Sequence, residues 1–548
     1  MIRSKKQSIA IVVLIILQVL VMIYWGMQKN GYHVDEMYSY GLANSYYTPF
    51  IQQLEGYGEE WITSERIADF LEVTEDDRFA YGSVVYNQTQ DVHPPIWYIL
   101  FHTVCSFSVG VFSKWQGIIL NLICFVGIDI ILYLLTKRLL DQKCALSAVF
   151  IWGFSIGAIN TVTFIRMYAL LSAWVMLFLY AHSLLFSESQ LSKNKLSYRN
   201  LAFLMVTTIL GTLTQYYFLV FAFFVCGLWC LYLLLRRKWK ILIQYACGEL
   251  LAVLMSVVIY PALLRHMFGG YRGEAAFSAL ENNDSCIEYL KTYLSLFSHS
   301  VCWGCLKIFG ILAIIWILVW GFQHFYMKLS LKYDCTTRKL RIVGERCNHI
   351  DLQWTLPSCA PFLLVLVLSS CAFLLMIARI APYREDRYIM LLFPIAAIYS
   401  SALAMAISSK IIYKCGFSLA IIVCLLLTMF SWKVGTYHYL YTGASERTEI
   451  TEQYHLLPVV ALLSKDYRGA TLANELMEHP ATFFCLESDL SPLQTRLQEQ
   501  NLSGGFLLYT ESGEDTQNLE NIQKLFASPL NFEKLTGYRG NIYLVEGA

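Results

Sequence analysis

The chain has 548 residues, of which 57% are hydrophobic and only 15% charged, with a net charge of +1 and a mean hydropathy of +0.49. A soluble domain carries about 25% charged residues, so this composition excludes an ordinary soluble protein, and the near-neutral balance shows no bias toward nucleic acid. Apolar runs of about 20 residues, the length that crosses a bilayer, recur along the sequence and predict a polytopic α-helical membrane protein.

The first run, 9–27, follows Arg3, Lys5 and Lys6 and reads as an uncleaved first span with its N-terminus inside. The loop 28–94 then lies outside and carries twelve acidic and three basic residues. Within it, Trp61–Val73 is expected to form a short surface helix with Ser64 as its cap. Further runs fall at about 96–112, 116–136, 144–163, 167–186, 200–214, 216–235, 242–263, 303–323, 356–380, 388–408 and 411–431. Five basic clusters separate some of them: Lys137, Arg138 and Lys143; Lys193, Lys195 and Arg199; Arg236 to Lys240; Lys328 to Arg346; and Lys410 with Lys414. Placing all five inside puts Thr163–Met167, Arg265–Ser300, Ala381–Arg387 and the tail outside. The segment 96–112 then cannot simply cross once; either it is a short outer-face or re-entrant helix, or the charge rule fails there. The expected architecture has 11–13 transmembrane helices over 1–431. It ends in an extracytoplasmic α/β domain over 432–548, with strands near Ala481–Leu486, Gly505–Tyr509 and Arg539–Glu546 and helices near Leu456–Leu463 and Leu493–Gln500.

The 16 cysteines are scattered, many inside apolar runs. The CxxC of Cys302 and Cys305 has no second half to complete a four-ligand zinc site; it reads as packing or a free thiol pair, with a local disulfide as the alternative if that end lies outside. Asp129, inside the run 116–136, reads as a structural hydrogen-bonding group.

The groups with chemical potential gather on the outer face under this topology. Asp35 and Glu36 stand just beyond the first span, where a carboxylate can take a proton from a nucleophile or hold a divalent cation. Asp91 and His93 precede Pro94 and Pro95, which stop that segment from simply continuing the following helix. Arg166 lies at the outer end of a span, where an arginine can anchor a phosphate, with Tyr168 beside it. Tyr216 opens another span on the same side, and Arg384 and Arg387 occupy the short loop 381–387.

With HVDEMYSY at 33–40, DVHPPIWYILFH at 91–102, RMYAL at 166–170 and RYIMLLFP at 387–394, the segment 9–431 resembles the GT-C membrane glycosyltransferases. It most resembles the bacterial branch of glycosyltransferase family 39, related to protein O-mannosyltransferases and the lipid A aminoarabinose transferase. That resemblance implies a bacterial plasma-membrane enzyme that moves a sugar from a polyprenyl-phosphate or diphosphate donor to a lipid, cell-envelope polymer or protein acceptor at the outer leaflet. It implies Asp35 as catalytic base, with Glu36 as a catalytic partner. Asp91, His93, Arg166, Tyr168, Tyr216, Arg384 and Arg387 would bind substrate. A divalent cation, Mg or Mn, held by Asp35, Glu36, Asp91 and His93, is left open. The rival reading is a transporter or flippase of lipid-linked glycans, which should show polar groups at mid-membrane, broken spans or paired repeats.

Overall fold

A computed structural model describes residues 2–191, 195–281, 286–325, 327–334, 339–346, 359–411, 416–511 and 515–547. Lys193 and Lys414, named above as parts of basic clusters, lie outside the described residues, as do 335–338 of the cluster Lys328 to Arg346. The chain divides into two compact units. One comprises Met1–Met22, Leu122–Val162 and Tyr168–Tyr437; the other comprises Ile23–Asn121, Thr163–Met167 and His438–Ala548.

The first unit is built from apolar helices. In lipid every backbone N–H and C=O must be satisfied within the segment, which only a helix or a closed barrel achieves. Among the described residues, seven helices of the whole chain are long and apolar enough to cross a membrane, and two bent pairs raise this to nine. The bent pairs are Gln142–Gly153 with Ile156–Thr163, at 57°, and Cys286–Val301 with Leu306–Leu312, at 87°. The first bend falls at Gly153, where the side chain of Gln18 approaches so closely that a Cβ would lie 2.1 Å from its Nε2. That amide is buried in the first span and donates to the carbonyl of Val149 at 2.8 Å, replacing the water it lacks there. The second bend holds Cys302 and Cys305, both free thiols, with Trp303 and Gly304 at positive φ.

The apolar runs predicted at 200–214 and 411–431 are helices at Tyr198–Thr212 and Gly416–Val434. The loop expected over Arg265–Ser300 is largely helical, at Ala262–Phe268, Tyr271–Glu281 and Cys286–Val301. An antiparallel hairpin of Met327–Asp334 and Lys339–Arg346 occupies the largest basic cluster. Asp129 is fully buried, and neither of its carboxylate oxygens has a hydrogen-bond partner among the described residues, so the structural bond expected for it is not found.

The second unit joins the first loop to the tail. Numbering all strands in chain order, and counting the hairpin as β2 and β3, its strands are β1 (Ile62–Thr63), β4 (Val459–Leu463), β5 (Ala481–Leu486), β6 (Phe506–Thr510), β7 (Asn531–Thr536) and β8 (Asn541–Glu546). They form one six-stranded sheet in the order β1-β5-β4-β6-β8-β7. β4 is parallel to both β5 and β6, and the outer strands pair antiparallel. β1 comes from the first loop, so the loop and the tail share a sheet. One face of the sheet packs Val460, Leu462, Phe483, Leu508 and Val545 against Leu493 and Ile522 from the crossover segments.

The stretch Leu456–Leu463, expected as a helix, contains a strand from Val459. A short, wholly apolar run has no period to separate a buried strand from a helix, and β4 is buried at every residue. The surface helix of the first loop spans Ser64–Leu71, with Thr63 at the cap position in place of Ser64. It turns Ile67, Phe70 and Leu71 inward. The awkward segment 96–112 is a helix only over Ile96–Ser106. Eleven residues rise about 16 Å, about half the hydrocarbon thickness of roughly 30 Å, so this helix does not span.

Candidate active site

Asp35 and Glu36 open the helix Val34–Asn44. His33 caps it: its Nδ1 accepts from the backbone N–H of Asp35 at 3.0 Å, and Glu36 accepts from the backbone N–H of His33 at 2.6 Å. This is a capping box with histidine in the cap position, and it places two acidic residues in the first turn, where the helix dipole favours them. Because His33 Nδ1 accepts an N–H it carries a lone pair, so its 3.7 Å approach to Asp35 Oδ2 is a proximity and not an ion pair.

The two carboxylates then diverge. Glu36 is fully buried. Its Oε2 takes the His33 N–H and the ammonium of Lys29 at 2.9 Å, and its Oε1 takes the backbone N–H of Ile165 at 2.7 Å. Lys29 is itself buried and also donates to the carbonyl of Tyr439 at 2.6 Å, between the rings of Tyr32 and Tyr441. Glu36 thus ties together the end of the first span, the helix cap, the segment 163–167 and the segment that follows 438. Burial pushes the Glu36 carboxyl up and the Lys29 ammonium down, each opposed by the charge of the other. Three donors converge on the carboxylate, so a carboxylic proton there would face a donor, which favours the ionised pair. Asp35, by contrast, keeps its side chain 27% exposed.

Arg166 is the second organiser. Its turn is set by the bond from its own N–H to the carbonyl of Phe164 at 2.8 Å, and Phe164 stacks on Tyr439 at 4.0 Å. Its Nη1 donates to the Asp35 carbonyl at 3.2 Å, to Ser39 Oγ at 3.1 Å and to Tyr98 Oη at 2.8 Å. Its Nη2 lies 3.4 Å from His93 Nε2. A guanidinium only donates, so Nε2 carries the lone pair and Nδ1 the proton, which His93 gives to Asp91 Oδ2 at 2.6 Å. Burial and the neighbouring Arg166 charge hold His93 below the usual imidazole range against the pull of Asp91. Burial raises the Asp91 carboxyl, but His93 and Arg166 outweigh it and leave that carboxyl low. The result is a line from ionised Asp91 through neutral His93 to charged Arg166, ending against the Asp35 helix.

Asp35, Glu36, Asp91, His93 and Arg166 therefore come together within one unit. Lys29, Ser39 and Tyr98 join them without having been singled out in the sequence. Ser39 could have been found, since it lies four residues after Asp35 on the same helix face. Lys29 reads in the sequence only as a cation beyond a span end. Among the described residues, no three His, Cys, Asp or Glu side chains gather as a metal site. Glu36 is committed to Lys29 and two N–H groups, and the near oxygen of Asp91 to His93, so the four candidate ligands do not fit one cation.

The remaining candidates belong to the other unit. Arg387 is buried, paired with Glu385 at 2.9 Å and set over the rings of Tyr383 and Tyr388. Arg384 is exposed, pairs with Glu288 at 3.0 Å and covers Tyr289. Arg272, which the sequence reading passed over, lies 5.6 Å from the same Tyr383 ring as Arg387 does at 5.8 Å. Tyr216 bonds His266 Nδ1 at 2.9 Å, and Tyr168 is a buried residue at the head of its helix.

Two solved structures of ArnT from Cupriavidus metallidurans superpose over almost the whole chain. The one in the apo state gives a TM-score of 0.52 at 11% identity, and the one bound to undecaprenyl phosphate gives 0.51 at 10%; each match covers 97% of both chains. The chain has the GT-C fold. A weaker likeness, with a TM-score of 0.42 at 13% identity over 86% of this chain and 63% of the other, is to the Archaeoglobus fulgidus oligosaccharyltransferase. No family model matches the sequence, and no curated protein matches it. Within this GT-C chain, Asp35 stands in the first loop and the arginine-tyrosine group of Arg272, Arg384 and Arg387 stands in the helical unit.

Proposed function

We propose that this protein is a membrane glycosyltransferase that moves a sugar from a polyprenyl-phosphate or diphosphate donor to a lipid, envelope polymer or protein acceptor at the outer face. The observation that carries the reading is the division of labour at the first helix. Glu36 is buried and saturated, while its neighbour Asp35 stays partly exposed on a helix locked by Arg166. The GT-C fold supports it, as does the undecaprenyl phosphate named for the ArnT structure. The outer-face assignment rests on the inner placement of the basic clusters.

In this scheme the acceptor hydroxyl attacks the anomeric carbon and its proton passes to Asp35. The bond from that carbon to the phosphate oxygen breaks, and its electron pair leaves with the phosphate. The configuration at the anomeric carbon inverts in a single displacement. Arg384 and Arg387 are proposed to meet the phosphate, whose growing charge an arginine stabilises; Tyr168 and Tyr216 are proposed as further donor contacts. Glu36, Asp91, His93 and Arg166 act as positioning residues, and no step is routed through a metal. The test is sugar transfer by purified protein from a defined mixture of polyprenyl-phosphate donors, read as labelled product. Transfer supports the reading. No transfer from any donor, together with movement of a lipid-linked glycan across proteoliposomes, would replace it with the transporter.

A further inference from the structure

The second unit holds a feature the proposed chemistry leaves unused. β4, β5 and β6 are parallel, with β4 between the other two. The chain leaves the carboxyl end of β4 toward β5 on one side, and leaves β6 toward β7 on the other. The carboxyl ends of β4 and β6 therefore flank a topological switch point, the place where open α/β sheets form a ligand crevice. Ser464 follows β4, and Glu511 follows β6. Ser464 Oγ donates to Glu511 Oε2 at 2.6 Å, and Arg468 Nε lies 3.6 Å from the same oxygen. Lys465, Tyr467 and Arg468 line the exposed turn.

This turn also touches the Asp35 helix. Tyr38 Oη, three residues beyond Asp35, donates to the carbonyl of Tyr467 at 2.7 Å, and Tyr57 Oη donates to the carbonyl of Asp466 at 2.6 Å. The first loop thus clamps the segment leaving β4 by its backbone and leaves the side chains of Lys465 and Arg468 outward.

We propose that this edge is the acceptor site and that it takes a hydroxyl-rich glycan; the proposal rests on the transferase reading above. The edge offers a hydroxyl, a carboxylate, a guanidinium, an ammonium and an exposed tyrosine ring. This mixture of donors and acceptors suits sugar hydroxyls and the apolar face of a sugar ring. A phosphate or nucleotide suits it poorly. Glu511 stands at the switch point, where an anion would be repelled, and the segment leaving β4 reads SKDYRG, with an aspartate and no glycine-rich cradle. The contact through Tyr38 puts the bound glycan beside the helix that carries the proposed base.

The test uses the full-length purified protein with maltotriose, cellotriose and chitotriose as probes, read by saturation-transfer NMR and, in the donor assay, as acceptor KM. At least one probe is expected to bind. Arg468→Ala and Glu511→Gln are each expected to weaken binding and raise that KM about tenfold, the loss of one charge-assisted hydrogen bond; the melting temperature of Arg468→Ala should stay that of wild type because the Arg468 side chain is half exposed. Failure of all three probes to bind, or equal binding by wild type and both variants, overturns the proposal. Sugar transfer to a lipid or protein without glycan binding overturns it and keeps the transferase reading. Glycan binding without transfer from any donor overturns the transferase reading and, with it, the acceptor role.

Discussion

Substituting Glu36 separates holding the site from performing its chemistry. In Glu36→Ala, Lys29 would remain buried without its counter-charge, and the N–H groups of His33 and Ile165 would lose their acceptor. Removing one partner of a buried ion pair costs about 3–5 kcal/mol, and each orphaned buried N–H adds about 1–3 kcal/mol, less whatever relaxation recovers. These terms total about 5–11 kcal/mol before relaxation, and even a net loss of about 4 kcal/mol would lower the melting temperature by several degrees, since the shift per kcal/mol falls with chain size to about 2–4 °C at roughly 150–250 residues and lower beyond. The assay is a thermal melt of detergent-purified protein, run as a double-mutant cycle with Lys29→Met and Glu36→Gln. Contacting residues couple by about 0.5–3 kcal/mol, so the double variant should be more stable than the sum of the single losses predicts. Additive losses, or a Glu36→Ala variant that melts like wild type, would refute the ion-pair anchor.

Three further outcomes follow from the same contacts. Gly117→Ala would put a Cβ 2.0 Å from Cγ2 of Ile165, whose N–H bonds Glu36; overpacking should cost about 1–3 kcal/mol in the same melt, at a residue remote from the chemistry. His93 is held low in the folded state, so below about pH 6.5 the unfolded chain binds the extra proton and stability falls with pH. His93→Asn should flatten that slope in a pH series of melts and move the acid-side loss to higher pH, because it removes the partner that holds the Asp91 carboxyl low. Arg166→Lys cannot reach the Asp35 carbonyl, Ser39, Tyr98 and His93 together; kcat should fall about 10- to 100-fold, as one or two charge-assisted bonds are lost, with donor KM nearly unchanged.

Much of this arrangement was legible in the sequence. Paired carboxylates after a span, the Asp91–Pro95 turn and Arg166 at a span end are short polar signals against an apolar background, and they do meet within one unit. The opposite fates of Asp35 and Glu36 were not legible. Adjacent residues on a helix point about 100° apart, and which one turns inward depends on Ile165, far along the chain, and on Lys29, seven residues upstream, which is itself fixed by the distant Tyr439. The same limit hid the strand at Val459–Leu463, whose unbroken apolar run carries no period, and the contribution of Ile62 and Thr63 to a sheet made mostly by the tail. For the short helix Ile96–Ser106, counting crossings against basic loops left two alternatives, a short helix that does not cross or a local failure of the charge rule, and its eleven residues select the first.

Asp35→Asn in the donor-transfer assay decides whether Asp35 is the base. The substitution removes the base and leaves intact the backbone N–H that caps against His33. kcat should fall about 100-fold or more, the contribution of a positioned general base, with the melting temperature of wild type. Full transfer activity in a folded Asp35→Asn protein would contradict that role.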